Sequence, residues 1–537
     1  MKRRTFLLQT SAIAAAGLAS GTPSGRVASA PAGSDPLIID TDAGKVRGRD
    51  DKGTHAFLGI PYGASTAGKA RFLPPAKPQP WTGVRDAVAF GNRAPQTPMP
   101  PNLPAEVLQL FRFAGGPTSE DCLVVNVWTP VGHRKAKRPV LFWCHGGGFA
   151  TGSGQEPDYH GANLARENDV VVVTVNHRLN VLGYLYLGDI AGSAYENANP
   201  GMQDLVLALR WVRTNIANFG GDADNVTIFG QSGGGAKVSA LLAMPAAGGL
   251  FHKAIVMSGP GLKVTPREEA TKTADALLKQ LGLSHTDLSK LQEIPVEQLV
   301  SRGGGMGMTM MGGLTFTPVV DGYSLPTQPW DPVAPGVSAT VPILIGSTKD
   351  EMTSLLMSDP KYGTLSEVEL KQRVAFMTQG KDADKVIDCY RRLHPNHTPT
   401  DLLVDIVTGQ YMTFGSIQLA ERKFEQGKAP VYLYMVTWET PVLDGRMRSP
   451  HGVDLPLVFA NTDIAVGLLG DGPEPRTLSA LMSKAFVAFA RNGNPNHAGL
   501  PKWPAYSPHS RATMHFNVPP TVLNDPNKEE RLLWAGA

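Results

Sequence analysis

The chain has 537 residues, 58 of them Gly and 44 Pro, with 42% hydrophobic and 18% charged side chains. That profile excludes a mainly disordered or fibrous protein and leaves a large, loop-rich globular one, long enough for a deep core and a buried pocket. Four of the 50 basic residues, Lys2, Arg3, Arg4 and Arg26, fall in an acid-free start. Without them the formal charge moves from +3 to −1, no basic cluster remains, and a nucleic-acid partner is not expected.

Taken in chain order, the first element is that start. Lys2-Arg3-Arg4-Thr5-Phe6-Leu7 followed by an Ala-rich, weakly apolar segment resembles a twin-arginine export signal, with cleavage after Ala30 or Ala32. The expected organisation is therefore a leader over residues 1–32 and one large domain over 33–537, exported to the periplasm or the medium. Beyond the leader no apolar run approaches the ~18 residues of a membrane span.

Val140 to Cys144 and Val170 to Val175 read as strands, Asp204 to Asn218 as a helix, and Val226 to Phe229 as a further strand. This alternation predicts a mostly parallel sheet flanked by helices. The unbroken apolar run at 170–175 predicts a central strand covered on both faces, because a half-exposed strand would alternate. Leu205, Leu209, Val212 and Ile216 form one apolar helical stripe. The second half is more helical, with Glu268 to Leu281 and Leu478 to Arg491 as clear helices. Between them, residues 303–313 hold six Gly and four Met residues, a surface loop or the lining of a substrate entrance.

Gly230-Gln231-Ser232-Gly233-Gly234 matches the G-x-S-x-G elbow, in which a sharp strand-to-helix turn lifts a serine hydroxyl above the sheet edge. A chain this rich in glycine yields about 0.3 such matches by chance, so the context decides. Here a strand precedes the serine, and Ala236 to Leu242 follows with helical character. Acyl transfer also needs donors aimed at the oxygen that becomes negative, and His145-Gly146-Gly147-Gly148-Phe149, directly after the 140–144 strand, is an HGGG-type oxyanion loop. Side chains at Gly147 or Gly148 are expected to crowd a substrate.

With these residues assembled, the chain resembles the type-B carboxylesterase family of the α/β-hydrolase fold, which includes bacterial para-nitrobenzyl-type esterases and the cholinesterases. The resemblance rests on Phe219-Gly220-Gly221 with Val226 to Gly234, on Glu120-Asp121-Cys122-Leu123, and on Phe57 to Tyr62, Arg71-Phe72, Pro74-Pro75, Trp81 to Val84 and Asn176 to Leu179. It spans nearly the whole chain after the leader. It implies a central, mostly parallel sheet with helical and loop insertions around an active-site gorge. It also implies a serine carboxylesterase acting on small-molecule esters without cofactor or metal.

By the same resemblance Ser232 is the nucleophile, Glu351 the acid and His451 the base, with Gly147, Gly148 and Gly233 forming the oxyanion hole. Asp350 is the rival for the acid. The chemistry calls for that trio: the imidazole takes the serine proton and returns one to the leaving group, while the carboxylate fixes its tautomer. The family commonly has Glu before and Ala after the nucleophile, where this chain has Gln231 and Gly233. Cys122 resembles a disulfide cysteine whose usual partner position holds Ala94. Two other readings share this fold: a non-catalytic adhesion protein, disfavoured by the complete trio, and an amide or peptide hydrolase. The sequence leaves the physiological ester and the oligomeric state open.

Overall fold

In a computed structural model, residues 37–536 are described, apart from 99–111, 113, 133–135, 193–194, 197, 304–313 and 379–380. The leader and all but the first residue of the Gly/Met-rich segment lie outside the described residues. Three short strands, β1 (Ile38–Asp40), β2 (Lys45–Arg47) and β5 (Val84–Asp86), form a small separate sheet. The main sheet has eleven: β3 (Arg49–Asp51), β4 (Thr54–Pro61), β6 (Val124–Pro130), β7 (Arg138–Cys144), β8 (Val171–Val175), β9 (Gly221–Gln231), β10 (Lys253–Met257), β11 (Ile343–Thr348), β12 (Val431–Val436), β13 (Ala512–Phe516) and β14 (Thr521–Asn524). Their order is β14-β13-β12-β11-β10-β9-β7-β8-β6-β4-β3. From β8 through β13 every neighbouring pair is parallel, and antiparallel pairs flank this block on both sides.

The two-faced burial expected of β8 is met residue by residue. Val171, Val173 and Val175 pack into one hydrophobic cluster and Val172 into another on the opposite face, all fully buried. Helices therefore cover both sides, as parallel sheets require. The expected helix at 204–218 runs from Pro200 to Asn215 and tightens into a 3-10 turn over Ile216–Phe219. Its earlier start reflects Pro200, whose fixed φ suits a first helical position. The strand expected at 226–229 is longer, because Gly221 pairs with Arg138 and draws the polar residues 222–225 into β9. The two later helices begin at Arg267 and Pro473 and stop at Gly282 and Gly493, both left-handed.

Several motif residues prove to be braces. Arg71 forks onto the Glu120 carboxylate at 2.7 and 2.6 Å and donates to the carbonyls of Gln292 and Ile294. Arg178 forks onto buried Asp204 at 2.9 and 2.6 Å and also reaches the carbonyls of Leu73 and Pro200. Losing one partner of such a buried pair costs about 3–5 kcal/mol, because the other charge is left uncompensated. These loops are thereby fixed to the sheet edge that carries the candidate site.

Cys122, Cys144 and Cys389 are all buried and unpaired. Cys122 and Ala94 are both buried in the main hydrophobic cluster. Burial pushes the Cys144 thiol up to about 12, which keeps it from forming the reactive thiolate. Denatured protein should therefore titrate three thiols, and the melting temperature should not change with reductant. One titratable thiol with a drop in melting temperature on reduction would contradict this.

Candidate active site

All the expected site residues lie at the C-terminal ends of the parallel strands, the edge where open α/β sheets place ligands. The Gly146–Gly148 loop follows β7, Ser232 follows β9, Glu351 follows β11 and His451 comes after β12. Ser232 sits at φ 60° and ψ −127°, a conformation strained for any residue with a Cβ, and the helix Gly233–Leu241 begins directly after it. The turn is tight on every side. A Cβ on Gly230 would come within 2.5 Å of the Gly234 backbone, and one on Gly234 within 2.0 Å of the Cys144 carbonyl oxygen. The Ser232 N–H donates to the Met257 carbonyl at 2.9 Å, tying the elbow to β10.

Glu351, fully buried, meets His451. One carboxylate oxygen is hydrogen-bonded to His451 Nδ1, and the other accepts the Thr348 N–H at 2.7 Å. Asp350, also fully buried, turns away from the imidazole. It accepts the Ser449 N–H at 3.1 Å and faces the Arg448 guanidinium at 3.3 Å. The geometry thus separates two adjacent acids into a partner for His451 and a brace for the loop that carries it.

The opposite nitrogen, His451 Nε2, lies 3.1 Å from the Gln231 side-chain amide nitrogen. With Nδ1–H directed at Glu351, Nε2 accepts from that amide. Among the described residues Ser232 Oγ makes no hydrogen bond. His451 is thus in contact with the residue directly before Ser232, and its Nε2 lone pair is held by Gln231. The sequence marks Gln231 only as a departure from the family's usual Glu and carries no sign of this contact.

The expected oxyanion residues are also brought together. Gly147 and Gly148 have φ of +89° and +57°. A Cβ on Gly233 would lie 2.5 Å from the Gly148 nitrogen, so the loop rests directly on the residue after Ser232. One expectation is corrected. A Cβ on Gly147 would strike the Thr151 carbonyl, 2.2 Å away, so glycine is required there by the loop's own turn, whereas one on Gly148 meets open space.

Sequence reasoning missed Asp454. It lies three residues beyond His451, fully buried, 3.4 Å from the Tyr434 hydroxyl. Burial first, then the nearby Glu351 charge, push its carboxyl up to about 7, against a smaller opposing pull from His451. For His451, burial disfavours the imidazolium, but Glu351, by charge and hydrogen bond, and Asp454 outweigh it and raise the pKa.

Comparison with known proteins places this geometry. The profile of the Carboxylesterase family matches residues 35–534. The chain is 37% identical over 503 residues to the para-nitrobenzyl esterase of Bacillus subtilis, covering 92% of this chain and 97% of that one. It is 34% identical to the phenmedipham hydrolase of Pseudarthrobacter oxydans, covering 87% and 92%. Among solved structures, a carboxylesterase of Geobacillus stearothermophilus superposes with a TM-score of 0.82 at 38% identity, covering 93% of this chain and all of the other. The shared architecture is the α/β-hydrolase fold.

The Asp454 shift gives a stability test with a definite sign. A buried acid whose folded pKa is raised costs the fold nothing below the ordinary 3.8 and its full penalty above about 7. Asp454→Asn should therefore match wild type in melting temperature near the lower value and gain on it progressively toward the upper. A constant difference across that window, or a loss that grows with pH, would show that Asp454 is held ionised.

Proposed function

Because the chain belongs to the Carboxylesterase family, and is a carboxylic ester hydrolase on that ground, we propose that it cleaves small-molecule esters through an acyl-enzyme on Ser232. The observation that carries the reading is the Glu351 carboxylate on His451 Nδ1, in a loop set beside the strained serine. In the first half-reaction the Ser232 hydroxyl displaces the Gln231 amide from His451 Nε2 and gives up its proton there as its oxygen attacks the ester carbonyl. Glu351 holds the imidazole in the tautomer that can accept and stabilises the imidazolium formed. The negative carbonyl oxygen is taken by the N–H groups of Gly147, Gly148 and Gly233. Collapse expels the alcohol, protonated by His451. Water then enters with the same base and releases the acid.

The same proposal includes export. The Lys2 to Leu7 pattern would direct the folded enzyme out by the twin-arginine route, consistent with the absence of a disulfide among the described residues. No helix among the described residues is long and apolar enough to cross a membrane. Replacing both Arg3 and Arg4 by Lys should retain uncleaved, active enzyme in the cytoplasm, as cell fractionation would show.

Ser232→Ala should abolish ester turnover and labelling by an organophosphonate, with the fold unchanged by circular dichroism. Retention of near wild-type rates would refute the assignment. Matched ester and amide substrates separate an esterase from an amidase of the same fold.

The two acids should divide sharply. Glu351→Gln should lower kcat by orders of magnitude, because an amide neither stabilises imidazolium nor enforces the tautomer. Asp350→Asn should leave kcat far less affected and instead lower the melting temperature, since it removes one of the acidic partners of Arg448 and weakens the hold on Ser449. The reverse ranking in kcat would move the acid to Asp350.

A further inference from the structure

Lys237 is the fifth residue after the nucleophile, on the inner face of the helix Gly233–Leu241, and it is fully buried. Among the described residues no carboxylate pairs with it. An uncompensated buried ammonium is costly, and proteins seldom keep one without use. Its ammonium donates to the carbonyl of His145 at 2.8 Å and lies 5.3 Å from the centre of the Phe149 ring. Those residues are the two stems of the three-glycine loop: His145 precedes Gly146, and Phe149 follows Gly148.

We propose that Lys237 is a positioning residue for the oxyanion hole, a buried amine that ties both stems of the Gly146–Gly148 loop to the helix carrying Ser232. The inference rests on the acyl-transfer reading above. The packing of the loop on the helix gives the tie its role. Gly148 and Gly233 touch backbone to backbone, in a position where the family's usual Ala would hold the loop off. At Gly148 nothing stands over the side a Cβ would take, and the loop is tied at its stems by Lys237. The neighbours of the amine are Cys144 and His145 from β7 and the turn after it, and His177 beside Arg178 from the segment after β8. The His145 and His177 rings stack at 4.8 Å. Burial, and secondarily Lys237, hold both imidazoles well below their usual value, so no titrating partner competes for the bond. Burial likewise brings Lys237 down to about 7, and because the neutral amine keeps two N–H groups, the tie to His145 survives loss of the charge.

The test compares Lys237→Met, which fills the space without a donor, with Lys237→Gln, which keeps an N–H. Active sites are counted by organophosphonate labelling with peptide mapping, so that rates refer to folded enzyme. Per titrated site, the Met variant should lose kcat by roughly ten- to hundredfold, less than the roughly 10²–10³ that a whole missing oxyanion donor costs. Its KM should stay within about twofold of wild type, as befits an interaction that matters only in the transition state. Affinity for a trifluoromethyl ketone, which forms the tetrahedral adduct, should fall in parallel with kcat/KM, and Lys237→Gln should recover most of the loss. Wild-type kcat per site in the Met variant, a loss confined to KM, an unchanged ketone affinity or a Gln variant as poor as Met would each overturn the proposal. So would failure of both variants to give soluble protein, which would make Lys237 a folding residue. If wild-type enzyme is labelled somewhere other than Ser232, the acyl-transfer reading fails and the proposal with it. Labelling at Ser232 with an unaffected Met variant overturns the proposal alone.

Discussion

The backbone of Ser232 is the constraint on which the rest of the site depends. A residue with a Cβ at φ 60° and ψ −127° is held at a cost of order 1–3 kcal/mol, and it persists only where the surroundings leave no alternative. Here β7, β9 and β10 converge beneath the turn, and the carbonyls of Cys144 and Met257 approach so closely that only glycine fits at Gly230, Gly234 and Gly235. Gly259 is forced in turn, because a Cβ there would lie 2.1 Å from the Ser232 carbonyl oxygen. One strained residue thus dictates glycine at four others, two of them more than two positions away from it in the chain.

His451 and Glu351 are held by a different device. Glu351 and Asp350 are consecutive, so at the end of β11 their side chains diverge, and the loop bearing His451 is gripped from both. The Asp350 N–H donates to the Ser449 carbonyl at 3.0 Å, the Ser449 N–H returns a bond to the Asp350 carboxylate, and the His451 N–H reaches the Glu351 carbonyl at 3.3 Å. Arg448 closes this clamp against the helical insertion through Asp405. Backbone pairing sets the position of the loop, and the Glu351 carboxylate on Nδ1 sets the orientation of the imidazole. That is why one acid of the pair serves the ring and the other serves the loop.

What the sequence disclosed follows from how local each determinant is. The glycine pattern around Ser232 was legible because the turn's steric demands fall mostly on its immediate neighbours. β8 was legible because burial on both faces leaves an unbroken valine run. Glu351, His451 and the division of labour with Asp350 depended on family resemblance, since acids and histidines are too numerous for spacing to select among them. Gln231, Asp454 and Lys237 carried no local signal of a role. A polar residue next to the serine, an acid three places past a histidine and a lysine among Ala236 and Val238 become informative only when residues more than two hundred positions apart, or the two sides of a sheet edge, are brought together. Element ends shifted for the same reason, as when Gly221 was recruited into β9 by Arg138.

The distribution of charge around Ser232 ties these late-found residues together. Were position 231 a carboxylate, it would join Glu351 and Asp454 around a single imidazole, and mutual repulsion in a buried site would drive protons onto them. Gln231 avoids this and supplies a neutral donor to Nε2 in the resting enzyme. Asp454, with its pKa near neutrality, adds negative charge behind the base only as pH rises. On the other side of the serine, the buried amine of Lys237 donates to the carbonyl at the start of the Gly146–Gly148 loop, near two histidines kept neutral by burial. The proposed acyl transfer at Ser232 would separate charge along this line, forming an imidazolium toward Glu351 and an oxyanion toward Gly147 and Gly148. Carboxylates behind the first and an amine behind the second constitute a field already aligned with that separation, and in a site of low dielectric such an arrangement favours the transition state over the uncharged ester that precedes it.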